Sequence, residues 1–486
     1  MDQTTNSKAK SHILIADILS FDSSNSSITN GPAGINPTSL QSAYNLTPLY
    51  TSGNTPGKGQ IIGIVDWLPT NYPIIKSTNN AIAYDYIQYC KQFNLTPNLI
   101  IYQMTTKTSL IINSTTQVTV PSTQLAGYGT EIALDIQIAQ AMAPYAKILL
   151  VLSPAPNYTD INNAINYAAL NSDIVSMSFG GPEFTTFEST FTANSRKLFI
   201  ASAGDSGPPA QYPSSSPNVL SIGGTLLKIG TQTTETPWNE ATRNAGSGGG
   251  GPSSIISQPI WQKSVLTNRP DLSTTRRLTP DISFNGDPYS GISVYYGNWI
   301  VIGGTSLGAP AYAGIFAIIN SIRNSGSSIN KTKNLSTLNA VTALYKQYNT
   351  NSTGTFYDTT NGYFRNITSG STVETGSYVY TIGGTGSNIT LLDTSNDNYM
   401  SVTKGTNNII ATLADGNSYT ISGSPGKYTF INTPNIPKSL GSTKISINGN
   451  NLTLIITFNA TNGYDYTTGL GSLLYPGVKY LINYTV

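Results

Sequence analysis

Ile61-Ile62-Gly63-Ile64-Val65-Asp66 is an almost unbroken apolar run that stops at an acid. A strand with one wet face alternates apolar and polar residues. A strand covered on both faces has no such alternation, and that is the condition of a parallel sheet lying between helical layers. The same texture returns at 148–152, 174–179, 198–201 and 219–222, with 99–104 as a further strand. Helical stretches at 79–93, 131–142, 161–170 and 184–194 fall between them, and 37–44 reads as a short helix. Alternating strand and helix predicts an α/β fold with a mostly parallel central sheet. Ligands of such sheets gather at the carboxyl ends of strands. Asp66, Ser178 and Asp205 all lie at or just past such ends.

The flanks differ in texture. Residues 1–36 are polar and read as an N-terminal segment or linker. Beyond residue 360, short β-rich runs at 378–382, 408–413, 418–421, 427–431 and 444–458 are separated by Gly, Asn, Ser and Thr clusters. The organisation predicted is a main α/β domain over 37–363 and 457–486, interrupted by an all-β insertion over 364–456.

With 486 residues the chain is too long for one small core. Only 10% of it is charged and its formal net charge is +2, with no basic block, so nucleic acid is not an expected partner. Ser, Thr, Asn, Gly and Tyr take the place of surface charge. Such a surface gains little self-repulsion when carboxylates protonate, which points to an acidic habitat. Cys90 is the single cysteine, so no intramolecular disulfide forms. Asn45, Asn94, Asn113, Asn157, Asn334, Asn366, Asn388, Asn451 and Asn483 stand in N-x-[ST] sequons. The sequence reads as lacking a bilayer-spanning run and a signal peptide.

A candidate nucleophile stands in Gly303-Gly304-Thr305-Ser306-Leu307-Gly308-Ala309-Pro310, between a strand-like run and an apolar helix. Glycines allow close approach of a ligand, and the free N–H groups of a helix start can stabilise an oxyanion. The usual base for a serine is histidine, but His12, in the polar N-terminal segment, is the only one. Either Ser306 is inert or its base is a carboxylate. Glu131 and Asp135 are four apart in a largely apolar helix, hence on one face. Buried acids without a cation are costly unless they share a proton or face a cleft. Asp205 sits in the Gly-rich turn Ala203-Gly204-Asp205-Ser206-Gly207, where turn chemistry alone would also place an Asp.

Taken together, Gly129-Thr130-Glu131-x-x-x-Asp135, Ser178-Phe179-Gly180-Gly181-Pro182-Glu183, Ser202-Ala203-Gly204-Asp205-Ser206-Gly207, Ser247-Gly248-Gly249-Gly250, Pro280-Asp281-Ile282-Ser283 and the Ser306 turn resemble the sedolisins. These are serine-carboxyl peptidases with a subtilisin-like fold, and the motifs occur in the family's order. The resemblance covers roughly residues 37–362 and resumes at 461. It implies Ser306 as nucleophile, Glu131 as its base, Asp135 as the acid orienting Glu131, and Asp205 as a protonated oxyanion-hole acid. It gives Asp66 a supporting role and implies substrate binding by Ser178, Gly180 and Gly248. It further implies one structural Ca²⁺, held by Asp358, Thr359, Thr461, Gly463 and Asp465. The family usually has glycine where Thr461 stands, but a backbone carbonyl ligand survives that change. The β-rich insertion departs from the family pattern and is bracketed by the two halves of this metal site. Sedolisins are also made with a folded pro-region that blocks the cleft, whereas a short polar stretch precedes the matching region here.

The expected protein is therefore an acid-acting, secreted, monomeric endopeptidase whose partners are polypeptide substrates and its own pro-region. A tripeptidyl exopeptidase of the same family, and a surface-layer or adhesive protein built on an inactive peptidase scaffold, are the other two readings. A free Glu titrates at about 4.3, so a glutamate base suits acidic pH.

Overall fold

The computed structural model describes residues 10–11, 14–15, 32–68, 80–117, 128–243, 245–266, 269, 272–273, 275–325, 334–348, 363–373, 378–383, 390–393, 400–404, 408–413, 418–424, 427–432, 442–448, 451–461 and 463–485. The opening run is the strand Ile61–Trp67, and it lies inside the central sheet. The order across that sheet is Thr234–Pro237, Leu220–Lys228, Leu198–Ser202, Ile174–Met177, Ile61–Trp67, Lys147–Ser153, Asn98–Gln103 and Thr108–Asn113, with Ile282–Asn285 also paired to Leu220–Lys228. The inner pairings are parallel, and the outermost on either edge are antiparallel.

The period of two explains why the runs are apolar throughout. Ile62 and Ile64 enter one core, with Tyr128–Met142 and Gly308–Ser325 as its helices. Val65 and Trp67 enter a second core, under the helix Tyr158–Asn171. The result is a three-layer α/β/α arrangement. Gly63 marks how closely the second layer approaches, because a Cβ there would lie 2.7 Å from Ser172 Oγ. Asp66 shares its parity with Ile62 and Ile64, so it faces the layer that carries Glu131 and Asp135.

Several expectations need correction. The strand read at 219–222 runs to Lys228. Gly223-Gly224 looks like a break, yet the ladder continues because Ile282–Asn285 packs alongside and a Cβ on Gly223 would meet Pro280 and Ser283 at 2.6 Å. The run read at 444–458 is two strands, Ser442–Asn448 and Asn451–Asn459, closed into a hairpin by the pair Asn448↔Asn451. The sequence carries a turn signal there, Gly449-Asn450. The segment Thr305–Ser325 is in fact long and apolar enough to cross a membrane, but 89% of its most apolar window is buried, as a core helix requires.

The C-terminal β-rich region folds as two antiparallel sheets. One holds Ser371–Val373, Tyr378–Gly383, Thr390–Asp393, Ser442–Asn448 and Asn451–Asn459; the other holds Met400–Lys404, Asn408–Leu413, Ser418–Ser424 and Lys427–Asn432. In the N-terminal polar segment, Lys10–Ser11 pairs antiparallel with Phe179–Gly180, and Leu14–Ile15 pairs antiparallel with Ile302–Gly303. His12 lies outside the described residues.

Candidate active site

The hairpin Ile292–Tyr296 and Asn298–Gly303 delivers the chain to Gly304, whose φ of 119° lies in a region that glycine tolerates best. A single 3-10 turn, Thr305–Leu307, then leads into the helix Gly308–Ser325. Ser306 sits in that turn and is fully buried. Its Oγ donates to the Ser178 carbonyl at 3.4 Å, while Ser178 Oγ reaches the Ser306 carbonyl at 3.4 Å and donates to Asp135 Oδ1 at 2.9 Å. Ser178 therefore couples the serine turn to the acidic helix.

Tyr128–Met142 packs against the Ser306 turn. Glu131 lies in its first turn, where the helix dipole favours a negative charge, and Asp135 follows one turn later. Both are buried, at 3% and 0% exposure. Asp66 approaches from the strand end, with Oδ1 accepting the Trp67 N–H at 2.7 Å. Burial pushes the Asp66 carboxyl up to about 8. Burial, and then the neighbouring Asp66 charge, hold Asp135 well above the usual carboxylate range against the Ser178 bond. The remaining oxygen of each, Oδ2, has no hydrogen-bond partner among the described residues.

Asp205 is tied to the residue before the serine. Its Oδ1 accepts the Thr305 N–H at 2.8 Å and the Thr305 hydroxyl at 2.7 Å. Burial pushes this carboxyl up to about 7, opposed by those two bonds. Its buried Oδ2 also lacks a partner among the described residues. The glycine-rich loop supports this turn from behind. Ser247 N–H donates to the Asp205 carbonyl at 2.9 Å, Gly249 N–H to the Gly204 carbonyl at 2.7 Å, and Gly248 N–H to the Trp238 carbonyl at 2.9 Å. Ser247 and Gly249 thus brace the Asp205 turn, Gly248 between them is tied to Trp238, and Gly180 lies on the edge strand paired with Lys10.

Tertiary folding therefore brings together Ser306, Ser178, Asp135, Asp66 and Asp205, with Glu131 on the helix that touches the serine turn. Thr305, to which the sequence analysis assigns no role, both holds Asp205 and accepts the Gly204 N–H at 3.1 Å. Adjacency to Ser306 was its only signal in the sequence.

The residues assigned to calcium divide. Asp358 and Thr359 lie outside the described residues. Thr461, Gly463 and Asp465 share one short loop. Asp465 is fully buried, and Oδ1 accepts from the N–H and hydroxyl of both Thr467 and Thr468. Among the described residues Oδ2 carries two longer contacts, 3.1 Å from Thr461 N and 3.2 Å from Thr468 Oγ1. A cation would fit at Oδ2, the less heavily bonded oxygen. Burial holds the Asp465 carboxyl up at about 6. Among the described residues no group of three His, Cys, Asp or Glu forms a metal cluster, so most ligands would have to be carbonyls.

Comparison with known proteins bears on this geometry. The family model described as the subtilase family matches residues 121–364, half of the chain. Kumamolisin from Bacillus sp. (strain MN-32) is 36% identical over 216 residues, 39% of the length of each protein. Sedolisin from Pseudomonas sp. (strain 101) is 43% identical over 117 residues, 23% of this chain and 19% of its own length. The matches thus span about two-fifths or less of these curated relatives. A solved structure of Pseudomonas sedolisin, a serine-carboxyl proteinase complexed with two molecules of pseudo-iodotyrostatin, superposes with a TM-score of 0.57 at 22% identity. It covers 93% of this chain and 98% of that one, which shows a shared fold. The match over half of the chain places this protein in the subtilase family, among homologues of the sedolisin and kumamolisin kind.

Proposed function

We propose that the protein is an acid-acting serine-carboxyl endopeptidase that cleaves peptide bonds through an acyl-enzyme at Ser306. The observation that carries the reading is the pair of carboxyls on either side of the serine turn, Asp135 bonded to Ser178 and Asp205 bonded to Thr305. In this mechanism Ser306 Oγ attacks the substrate carbonyl carbon and its proton passes to Glu131, which Asp135 orients. The oxyanion that forms accepts a hydrogen bond from the protonated Oδ2 of Asp205. Collapse breaks the C–N bond, and the departing amine takes the proton from Glu131. Water then attacks the ester with Glu131 again as base, releasing the acid product and restoring the serine hydroxyl. Asp66 supports Asp135 by keeping a negative charge from settling on both.

The edge at Phe179–Gly180 would pair with the substrate backbone and Gly248 would line its path, with Ser247 and Gly249 bracing the oxyanion turn on either side of Gly248. Lys10–Ser11 and Leu14–Ile15 pair with the two edges flanking the serine, which supports an N-terminal segment of the chain competing with substrate for them. The low charge content supports an acidic medium, and secretion into it as a monomer belongs to the same proposal.

The test is digestion of an unfolded protein at about pH 4. Internal fragments are expected. Release of tripeptides alone would make the enzyme an exopeptidase, and an intact substrate would overturn the peptidase reading in favour of an inactive scaffold.

One structural calcium ion is proposed for the same molecule, held by Asp358, Asp465 and the carbonyls of Thr359, Thr461 and Gly463. Oxygen ligands drawn largely from backbone suit this ion. An ion that binds only the folded state stabilises it by mass action. Asp465→Ala or chelation is expected to lower the thermal midpoint by several degrees; metal analysis of the purified protein showing no calcium would remove the proposal.

A further inference from the structure

The hairpin that delivers Ser306 belongs to a small sheet with Leu14–Ile15 and is not hydrogen-bonded into the central sheet. Its base is held by backbone: Gly304 N–H donates to the Gly286 carbonyl at 2.6 Å, and Ile35 N–H to the Gly291 carbonyl at 2.9 Å. Its outer half is tied to the helical layer by side chains. Gln137, fully buried on the Tyr128–Met142 helix, makes a reciprocal pair with one residue of the hairpin. Its Nε2 donates to the Tyr295 carbonyl at 2.8 Å, and its Oε1 accepts the Tyr295 N–H at 2.9 Å. Tyr295 is in register with Trp299 on the strand that runs on toward Ser306. Asp85, on the helix Ala81–Gln92, adds a bond from the hairpin tip, accepting the Gly297 N–H at 3.1 Å.

Gln137 lies two residues past Asp135 on the same helix. We propose that Gln137 is a positioning residue for the peptidase reaction: its amide clasps the Tyr295 backbone and so fixes the spacing between the helix of Glu131 and Asp135 and the hairpin that carries Ser306. This rests on the peptidase reading given above. The clasp works because a primary amide offers one donor and one acceptor side by side, matching the C=O and N–H of one strand residue. Small displacements between reacting groups cost rate far more than they cost binding.

Two substitutions separate this role from plain packing. Gln137→Met keeps the volume and removes both bonds. Gln137→Glu keeps both while its carboxyl is protonated, since a neutral acid also has one O–H donor and one C=O acceptor. Once ionised it loses the donor and repels the Tyr295 carbonyl. The titratable groups on the elements meeting here include Glu131 and Asp135 on the helix itself, Tyr84 and Asp85 beside Tyr295, with Tyr86, Tyr89, Cys90 and Lys91 further along the neighbouring helix, and Tyr295 and Tyr296 on the strand. All are common to wild type and variants, so profiles are compared at each pH.

With a peptide substrate, Gln137→Met is expected to lower kcat on the order of 10-fold or more, with KM changed by less than about 2-fold. Gln137→Glu is expected to match wild type near pH 3.5 and to lose activity at a lower pH than wild type does. Faster hydrogen exchange at the Tyr295 amide in Gln137→Met is expected as well, and this readout does not need turnover. Wild-type kcat and unchanged exchange in Gln137→Met, or a Gln137→Glu profile superimposable on wild type, overturns the proposal. If Gln137→Met does not fold, the Gln137→Glu profile decides. A wild type that cleaves no peptide at any pH overturns the peptidase reading instead, and the exchange rate alone then decides whether the clasp exists.

Discussion

Ser306→Ala is expected to lower kcat/KM for a peptide substrate by about 10,000-fold or more, and Glu131→Ala by a similar factor, with the fold intact. Residues that act as one unit lose most of the rate when any member is removed, so the effects do not add. The double variant is therefore expected to be scarcely worse than either single one. Asp135→Ala belongs to the same set, because it takes away both the group proposed to orient Glu131 and the acceptor of the Ser178 hydroxyl. His12→Ala is expected to leave turnover near wild type. A protein in which His12→Ala abolishes turnover and Glu131→Ala does not would have an imidazole base, and the carboxylate assignment would be wrong.

Asp205→Ala is expected to cost on the order of 100-fold in kcat, the scale of one lost oxyanion donor. Asp205→Asn is expected to retain part of the activity and to flatten the alkaline limb of the pH–rate profile. The physical reason is the state of Oδ2. As a neutral acid it donates to the oxyanion; as an anion it repels the same charge. With this carboxyl held up at about 7 by burial, wild-type activity should fall as pH rises toward neutrality, even where Glu131 is ionised and competent as base.

Stability moves over the same range and must be measured beside the rate. Asp205, Asp85 and Asp66 are raised to about 7, 7 and 8 in the folded chain. Between the unfolded value near 3.8 and these values, the native state binds more protons than the unfolded one. Their contribution is therefore fully present only below the unfolded value near 3.8 and is lost as pH rises toward 8, by up to about 1.4 kcal/mol per group per pH unit. Thermal midpoints of wild type and Asp205→Asn across pH 3–8 separate the two causes of decline. An Asp205→Ala enzyme with near-wild-type turnover and an unchanged alkaline limb would dismiss the oxyanion role.

What the sequence determined by itself follows from repetition and exclusion. Short apolar runs without alternation, repeated between helical stretches, read as strands covered on both faces, so Ile61–Trp67 and its counterparts announce the three-layer sheet. A chain whose one histidine lies in a polar N-terminal segment leaves Ser306 either inert or served by a carboxylate, and the spacing of Glu131 and Asp135 puts them on one helix face. What local pattern could not reach depends on which distant backbones meet. Gly223-Gly224 reads as a break, but it continues a strand because a neighbouring strand needs the space. Thr305 looks like a mere neighbour of Ser306, yet it is the clamp on Asp205, a hundred residues away in sequence. Gln137 looks like one more polar residue on a buried helix, and only the docking of the Tyr295 hairpin gives its amide a partner. Local periodicity reports which face of an element is covered; the identity of the covering atoms is set by the tertiary fold, and the chemistry at Ser306 is read from those atoms.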